Sequence, residues 1–410
     1  MKTFVVALRN VGRNSRRTIL SAAAIAVATM VTVFMFALIE GLKVDMVSII
    51  QRLVSGQVRV RTAAYDANEI RNPLHLAVAD APMILRALRD RPEVKALSPR
   101  IWFPTALYRE GKIYKGIGMG LDFPGEEGFQ GFSRSLVQGR IPAMGARETV
   151  LSSGLARDMG VGTGDSITLF TKNATGGMNG MTLRICGIVS FSVSAFDQSF
   201  FFAPLDTVQR LLGMRGSVTE ILLFLRDGVD PDREASTLAE DLRAQGRDEL
   251  AITPWTRIGI WPTYLRIAES MYSIIALGFL LIGATVVINT TMMVIYERVR
   301  EIGTMSALGM TSGQIVRLFF LESLFISALG SLAGTLAGIA ITLPLSTHGI
   351  DYTEMMRGID LAMPSIFYPM LNWKSTALVF LYSAAVSSIV SIVPSRRASR
   401  VEPVKALRAV

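Results

Sequence analysis

The sequence predicts an α-helical membrane protein with four transmembrane helices in a one-plus-three arrangement and a large α+β extracytoplasmic domain between the first helix and the second. Three observations carry this. Charge-free apolar runs occupy Thr18–Ile39, Ser270–Tyr296, Ser323–Thr347 and Ser375–Ser395. A polar block, residues 40–269, separates the first run from the second. Basic residues gather in the segments that four crossings leave on one side.

The first run holds about 22 residues, which at ~1.5 Å rise each cover the ~30 Å hydrocarbon layer. Its small residues, Ala22, Ala23, Ala24, Ala26 and Ala28, lie at its start instead of before a cleavage point, so it reads as a retained anchor and not a signal peptide. Charge then sets orientation. Residues 1–17 carry Lys2, Arg9, Arg13, Arg16 and Arg17 without an acid; residues 297–322 balance three arginines against three glutamates; residues 396–410 set five basic residues against Glu402 alone. These segments hold the whole formal charge of +9. The positive-inside rule puts them, with both termini, in the cytoplasm, and the 40–269 block and the short 348–374 loop outside. The basic balance is thus topological and calls for no nucleic-acid partner.

The outer block has the size and grammar of a folded domain. Residues after Ile39 keep a helical period through Leu53, so the first span is expected to continue outward as a stalk, and Thr263–Glu269 to mirror it before the second span. Gln57–Thr62 alternates Val and Arg, which predicts a strand with one buried face. Asp80 and Pro82 open a helix with Ile84, Leu85 and Leu88 inward; Asp230 and Pro231 open another with Ala235, Leu238 and Leu242 inward, ended by Gly246. Strands are expected at Ser166–Thr171, Thr182–Val189 and Glu220–Leu225, and short helices at Ser153–Met159 and Pro204–Leu212. The lone cysteine, Cys186, makes an intrachain disulfide impossible. The Gly- and Asn-rich stretch between two of these strands reads as a hairpin tip or, through Asn173, Gly176, Gly177, Met178, Asn179 and Gly180, as a hook that grips a partner.

Between the second and third runs, Ile302, Met305 and Leu308 recur every three residues and predict a short amphipathic helix that Gly309 stops, with Ser312 capping the next. Such a helix can transmit force or rest on lipid. In the third run Gly330, Gly334 and Gly338 form one row and Ser323, Ser327 and Ser331 another, a pattern that allows close helix packing within the subunit or between subunits. Glu322 is expected at the cytoplasmic entry of this run, its charge in reach of water.

The run EIGTMSALGMTSGQI, followed by Glu322, resembles the cytoplasmic loop of the ABC-transporter permeases of the FtsX, MacB and LolC/LolE superfamily. The tail PSRRASRVEPVKALR, from Pro394 to Arg408, is similar to the ending of that group. Glu148–Phe170 resembles a MacB-type periplasmic core, and Gly56–Glu69 looks closer to the lipoprotein-releasing LolC/LolE branch. The resemblance implies a permease that binds a separate cytoplasmic ABC ATPase dimer, with ATP and Mg held on that partner and none here. It also implies a second permease subunit, identical or homologous, and a lipoprotein substrate or a periplasmic protein partner. By position the ATPase-coupling residues are Glu297, Arg298, Arg300 and Glu301 with Gly303, Met305, Leu308, Gly309 and Met310. The tail residues Pro394, Arg396, Arg397, Arg400, Pro403, Ala406 and Leu407 would brace the same partner or meet anionic membrane lipids. A substrate entering from the outer leaflet would meet Phe34, Phe36 and Ile39 of the first span and Met271, Tyr272 and Ile275 of the second.

Catalytic readings find no support in the residues. The sequence contains no Gly-x-x-x-x-Gly-Lys-[Ser/Thr] phosphate loop, so ATP hydrolysis by that route is excluded. His75 and His348 are far apart, with no His-Glu-x-x-His or cysteine pair to complete a zinc site. Ser331 lacks a nucleophile motif around it, and helix packing explains it better.

Overall fold

A computed structural model describes residues 15–191, 197–259, 261–297, 299–351 and 366–398. Among them, residues 15–44, 265–297, 299–351 and 366–398 form a membrane-type unit, and residues 45–191, 197–259 and 261–264 an outer unit.

The outer unit is built on a ten-stranded sheet: β1 (Val58–Thr62), β2 (Val94–Arg109), β3 (Lys112–Leu121), β4 (Leu136–Gly139), β5 (Glu148–Ser152), β6 (Ser166–Lys172), β7 (Met178–Val189), β8 (Phe200–Pro204), β9 (Glu220–Leu225) and β10 (Leu250–Pro254). Pairing runs β10-β1-β9-β2-β3-β8-β5-β7-β4, and β6 joins β7 back to β2, so six strands from β2 round to β6 close a ring. Only the β3–β8 and β5–β7 pairings are parallel. Closure is possible because β2 is long: its first half pairs with β9 and its second with β3 and β6. Inward residues Phe103, Leu107, Ile167, Leu169, Leu183 and Phe201 join one large core that also buries the helices 81–89, 205–212 and 231–244. A second, aromatic core holds Phe123, Phe132, Phe200 and Phe202.

The helix punctuation is half as expected. Asp230 accepts hydrogen bonds from the backbone N–H of Asp232 (2.8 Å) and Arg233, and its helix runs Pro231–Ala244. Asp80 instead adopts a left-handed backbone (φ 49°) and makes no side-chain cap; its carbonyl accepts from Met83 N–H. The strand β1 also departs from expectation. Its arginines are buried along with its valines, because Asp66, Glu69 and Glu220 converge on Arg59 and Arg61. Burial of a charge is tolerated when it is paired and hydrogen-bonded in this way.

In the other unit, three helices are long and apolar enough to cross a membrane among the described residues: Thr18–Ser55, Ser312–His348 and Trp373–Val390. A further 37-residue helix spans Trp261–Glu297. The third apolar run starts its helix eleven residues early, at Ser312, and the fourth breaks at Ser391 before a short helix, Ile392–Ala398. The cap of the Ser312–His348 helix is Thr311 and not Ser312. Thr311 and Gln314 exchange side-chain-to-backbone bonds in a complete capping box, which fixes the start.

Candidate functional site

The glycine and serine rows of the third apolar run face different neighbours. Gly330, Gly334 and Gly338 lie against Ala22, Ala26 and Val33 of the first helix so closely that a Cβ at Gly330 would sit 2.6 Å from the Ala22 carbonyl oxygen. On the next face Ser327 Oγ lies 2.8 Å from Ser388 Oγ and donates to the Ala384 carbonyl (3.1 Å). The small residues thus pack helices within this chain, with the Ser312–His348 helix between the first and the last.

At one end of these helices, Met370 N–H donates to the Ala37 carbonyl (2.9 Å) and Asn372 Nδ2 to Glu40 Oε1 (3.2 Å). Asn372 also caps the last long helix by accepting from Lys374 and Ser375 N–H. Lys43 Nζ and Glu269 Oε1, 3.0 Å apart, tie the first helix to the second.

The first, second and last long helices line an open cavity of about 660 Å³. Phe36, Leu277, Leu378, Val379, Leu381 and Ala385 make it apolar, and only Ser273, Ser375 and Tyr382 bring hydroxyls. Of the six residues expected to meet a substrate, Phe36 lines it. Phe34 and Ile39 are half-buried elsewhere on the first helix, Met271 and Ile275 are exposed on the second, and the side chain of Tyr272 lies outside the described residues. The last helix was missed. Its signal was present, since Leu378, Leu381, Tyr382 and Ala385 repeat at the i, i+3, i+4, i+7 spacing of one helical face.

The short helix before the third run spans Val299–Ala307 and packs Ile302 with Ile315 and Phe319, with Met305 and Met310 at the edge. Gly303 is buried, and Gly309, with φ +93°, stops the helix. Leu308 does not share the Ile302 face: it follows the last helical residue and is 82% exposed. The side chains of Glu297, Arg300 and Glu301, and all of Arg298, lie outside the described residues. Glu322 is only 7% exposed, so its carboxylate is packed within the helices and does not reach water as expected. Of the tail, Pro394 and Arg397 belong to the short helix Ile392–Ala398 and Arg396 is exposed on it; Arg400, Pro403, Ala406 and Leu407 lie outside the described residues.

The Gly- and Asn-rich stretch is a five-residue hairpin loop, Asn173–Gly177, since Met178, Asn179 and Gly180 already belong to β7. Asn173 Oδ1 gathers the N–H of Thr175 and Gly177, which folds the loop on itself. Ala174 N–H donates to the Leu212 carbonyl and Asn179 Nδ2 to that of Leu211, so the loop is pinned to the body while Met178 stays 65% exposed.

Known proteins share this organisation. Residues 18–240 match the MacB-like periplasmic core domain and residues 273–403 the FtsX-like permease C-terminal domain. The chain is 22% identical to the lipoprotein-releasing system transmembrane protein LolC of Neisseria meningitidis serogroup B, over 79% of this chain and 80% of that one. It is 25% identical to the macrolide export ATP-binding/permease protein MacB of Agrobacterium fabrum, over 90% of this chain and 55% of that one. Among solved structures, the periplasmic region of MacB from Actinobacillus actinomycetemcomitans aligns with 52% of this chain and 95% of its own, at 17% identity and a TM-score of 0.37. The chain belongs to the ABC-transporter permeases that combine a MacB-like periplasmic core with an FtsX-like permease domain, with LolC and LolE proteins among its relatives.

Proposed function

We propose that this chain is the non-catalytic, membrane-spanning subunit of a mechanical transporter that lifts an acylated protein out of the outer leaflet. In this reading the Trp261–Glu297 helix completes four crossings, both termini are cytoplasmic and the sheet domain is periplasmic. Residues 297–310 dock on a separate ATPase dimer, which holds ATP and Mg. Two permease subunits, identical or homologous, form the transporter. ATP binding moves the docked segment, and the long helices carry the motion outward.

The observation that supports this most is the apolar cavity between the first, second and last long helices. An acyl chain gains about 0.8 kcal/mol for each methylene kept from water, so a site that competes with lipid must be apolar and open to the membrane side. The cavity's few hydroxyls suit a glycerol or peptide linkage better than a charged head group. A volume near 660 Å³ equally fits a drug-sized amphiphile, which favours export of small amphiphiles or peptides as the second reading.

A photoreactive residue placed at Phe36, Leu277 or Tyr382 in intact cells separates the readings. Adducts to acylated proteins support lipoprotein release, and adducts to small amphiphiles support export. If those three positions give no adduct and the same photoreactive residue placed at the exposed Met178 captures a soluble periplasmic protein, the chain moves no cargo and relays motion to that protein.

A further inference from the structure

The first long helix, Ser15–Ile49, does not end in an ordinary turn. It widens into a six-residue π-helix, Ile50–Ser55, and stops at Gly56, whose φ of +62° and tight approach to Leu222 and the Leu223 backbone disfavour a side chain. A helix end leaves its last carbonyls without intrahelical partners and carries partial negative charge. Two of these carbonyls are claimed by one side chain. Arg100, fully buried on β2, donates from Nη1 to the Leu53 oxygen (2.8 Å) and from Nη2 to the Arg52 oxygen (2.7 Å).

The same guanidinium is gripped from behind. Its Nε and Nη2 donate to Glu126 Oε1 (2.8 Å) and Oε2 (3.0 Å), and Glu126 is itself fully buried. Ser98 hydrogen-bonds both groups, Gln130 Nε2 donates to Glu126 Oε2 (2.6 Å), and the Phe129 ring lies 5.3 Å from the guanidinium carbon. A planar fork with donors on both edges can hold a carboxylate and two carbonyls at once, which an ammonium cannot. The sheet core needs no cation at this point for its own packing: removing a charge from a buried pair is costly, yet apolar replacement of whole pairs is commonly tolerated. What the pair does specifically is fix which carbonyls of the wide turn, Ile50–Ser55, face the sheet.

We infer that Arg100, held by Glu126, is the joint that delivers movement of the first helix to the sheet of the outer domain. It is a positioning residue, and the inference rests on the mechanical reading given above. A π-turn closes its hydrogen bonds one residue further along the chain than an α-turn, so a pull on the helix can alter this segment's winding before it disturbs the strands. With the clamp intact, the pull passes to β2 through Arg100. Without it, the wide turn absorbs the pull.

The test uses the full transporter, chain plus ATPase subunit, in proteoliposomes carrying an acylated marker protein. In Arg100→Lys, ATP hydrolysis is expected to stay within about twofold of the parent while marker released per ATP falls at least fivefold. Amide exchange over residues 50–57 is expected to quicken at least about 10-fold, the size of one lost charge-assisted bond, with β3 and β8 unchanged. Unchanged release per ATP alongside quickened exchange overturns the inference. If Arg100→Lys does not fold, Ser98→Ala, which removes one ligand of the clamp, is expected to shift both readouts in the same direction by about twofold, and no shift in release overturns it. If the parent itself releases nothing, the transport reading fails separately; the joint then stands if ATP changes exchange at residues 50–57 in the parent and falls if it does not.

Discussion

Arg61 Nη2 lies 2.7 Å from Glu220 Oε2, joining β1 to β9 across 159 residues of sequence inside a site where both side chains are buried. Trp102 Nε1 donates to the other Glu220 oxygen (2.6 Å), and Asp66 and Glu69 complete the arginine's surroundings. Glu220→Ala leaves a buried guanidinium short of its best partner and is expected to destabilise the outer domain by about 3–5 kcal/mol, read as a shift in its denaturation midpoint. Glu220→Gln keeps the shape and one acceptor and is expected to cost less.

Acid should act on the same cluster. Burial raises the affinity of the Glu69 carboxyl for a proton, but the charge and hydrogen bond of Arg61 outweigh it and hold the group below the usual carboxylate range. A depressed folded-state pKa stabilises the domain above the unfolded value, and that contribution disappears as pH falls through the folded value. Stability of the parent is therefore expected to drop below about pH 4.3, the ordinary glutamate value, and Glu69→Gln to flatten that part of the curve. A pH series of thermal melts on both proteins checks it.

The glycine row predicts a contrast within one helix. A Cβ at Gly334 would collide with the Ala26 backbone, whereas one at Gly313 would meet nothing. Gly334→Ala is expected to lower the melting temperature in detergent, by an overpacking penalty of about 1–3 kcal/mol. Gly313→Ala is expected to be neutral or to stabilise by up to about 1 kcal/mol, since alanine is the better helix former.

Cys186 offers a kinetic check on the outer domain. Burial pushes its thiol up to about 11. At pH 8 that lowers the thiolate fraction about 100-fold relative to an ordinary thiol, and the greater nucleophilicity of the stronger base restores about 10-fold. Maleimide labelling of the folded protein is expected to run about 10-fold slower than that of the unfolded chain and to accelerate steadily with pH. Labelling as fast as in the unfolded chain contradicts the packing around β7.

Local signals were legible where chemistry acts over short range. Asp230 with Pro231, the unbroken apolar run of β9 and Gly309 after a short apolar stripe each place an element from a few adjacent residues. The hairpin β2–β3 was not legible, because Pro99 and Pro104 argue against a strand, and only the structure shows both accommodated, with the Pro104 carbonyl accepting from Thr171. The buried arginines of β1 were misjudged for a related reason: a residue pattern shows the charges, but their acids arrive from Asp66, Glu69 and, most distantly, Glu220. The cavity was half legible. Phe36 was found through the first helix, while the face of Leu378, Leu381 and Tyr382 was overlooked because an apolar run can look uniform when its stripe is not read.

The most direct test of the transport mechanism is made with the purified chain and its ATPase subunit in proteoliposomes loaded with an acylated marker protein. The account predicts no nucleotide turnover by the chain alone, and ATP-dependent departure of the marker from the membrane only when both proteins are present. Turnover by the chain alone, or brisk hydrolysis by the complete assembly with the marker and every added amphiphile left in the bilayer, would contradict it.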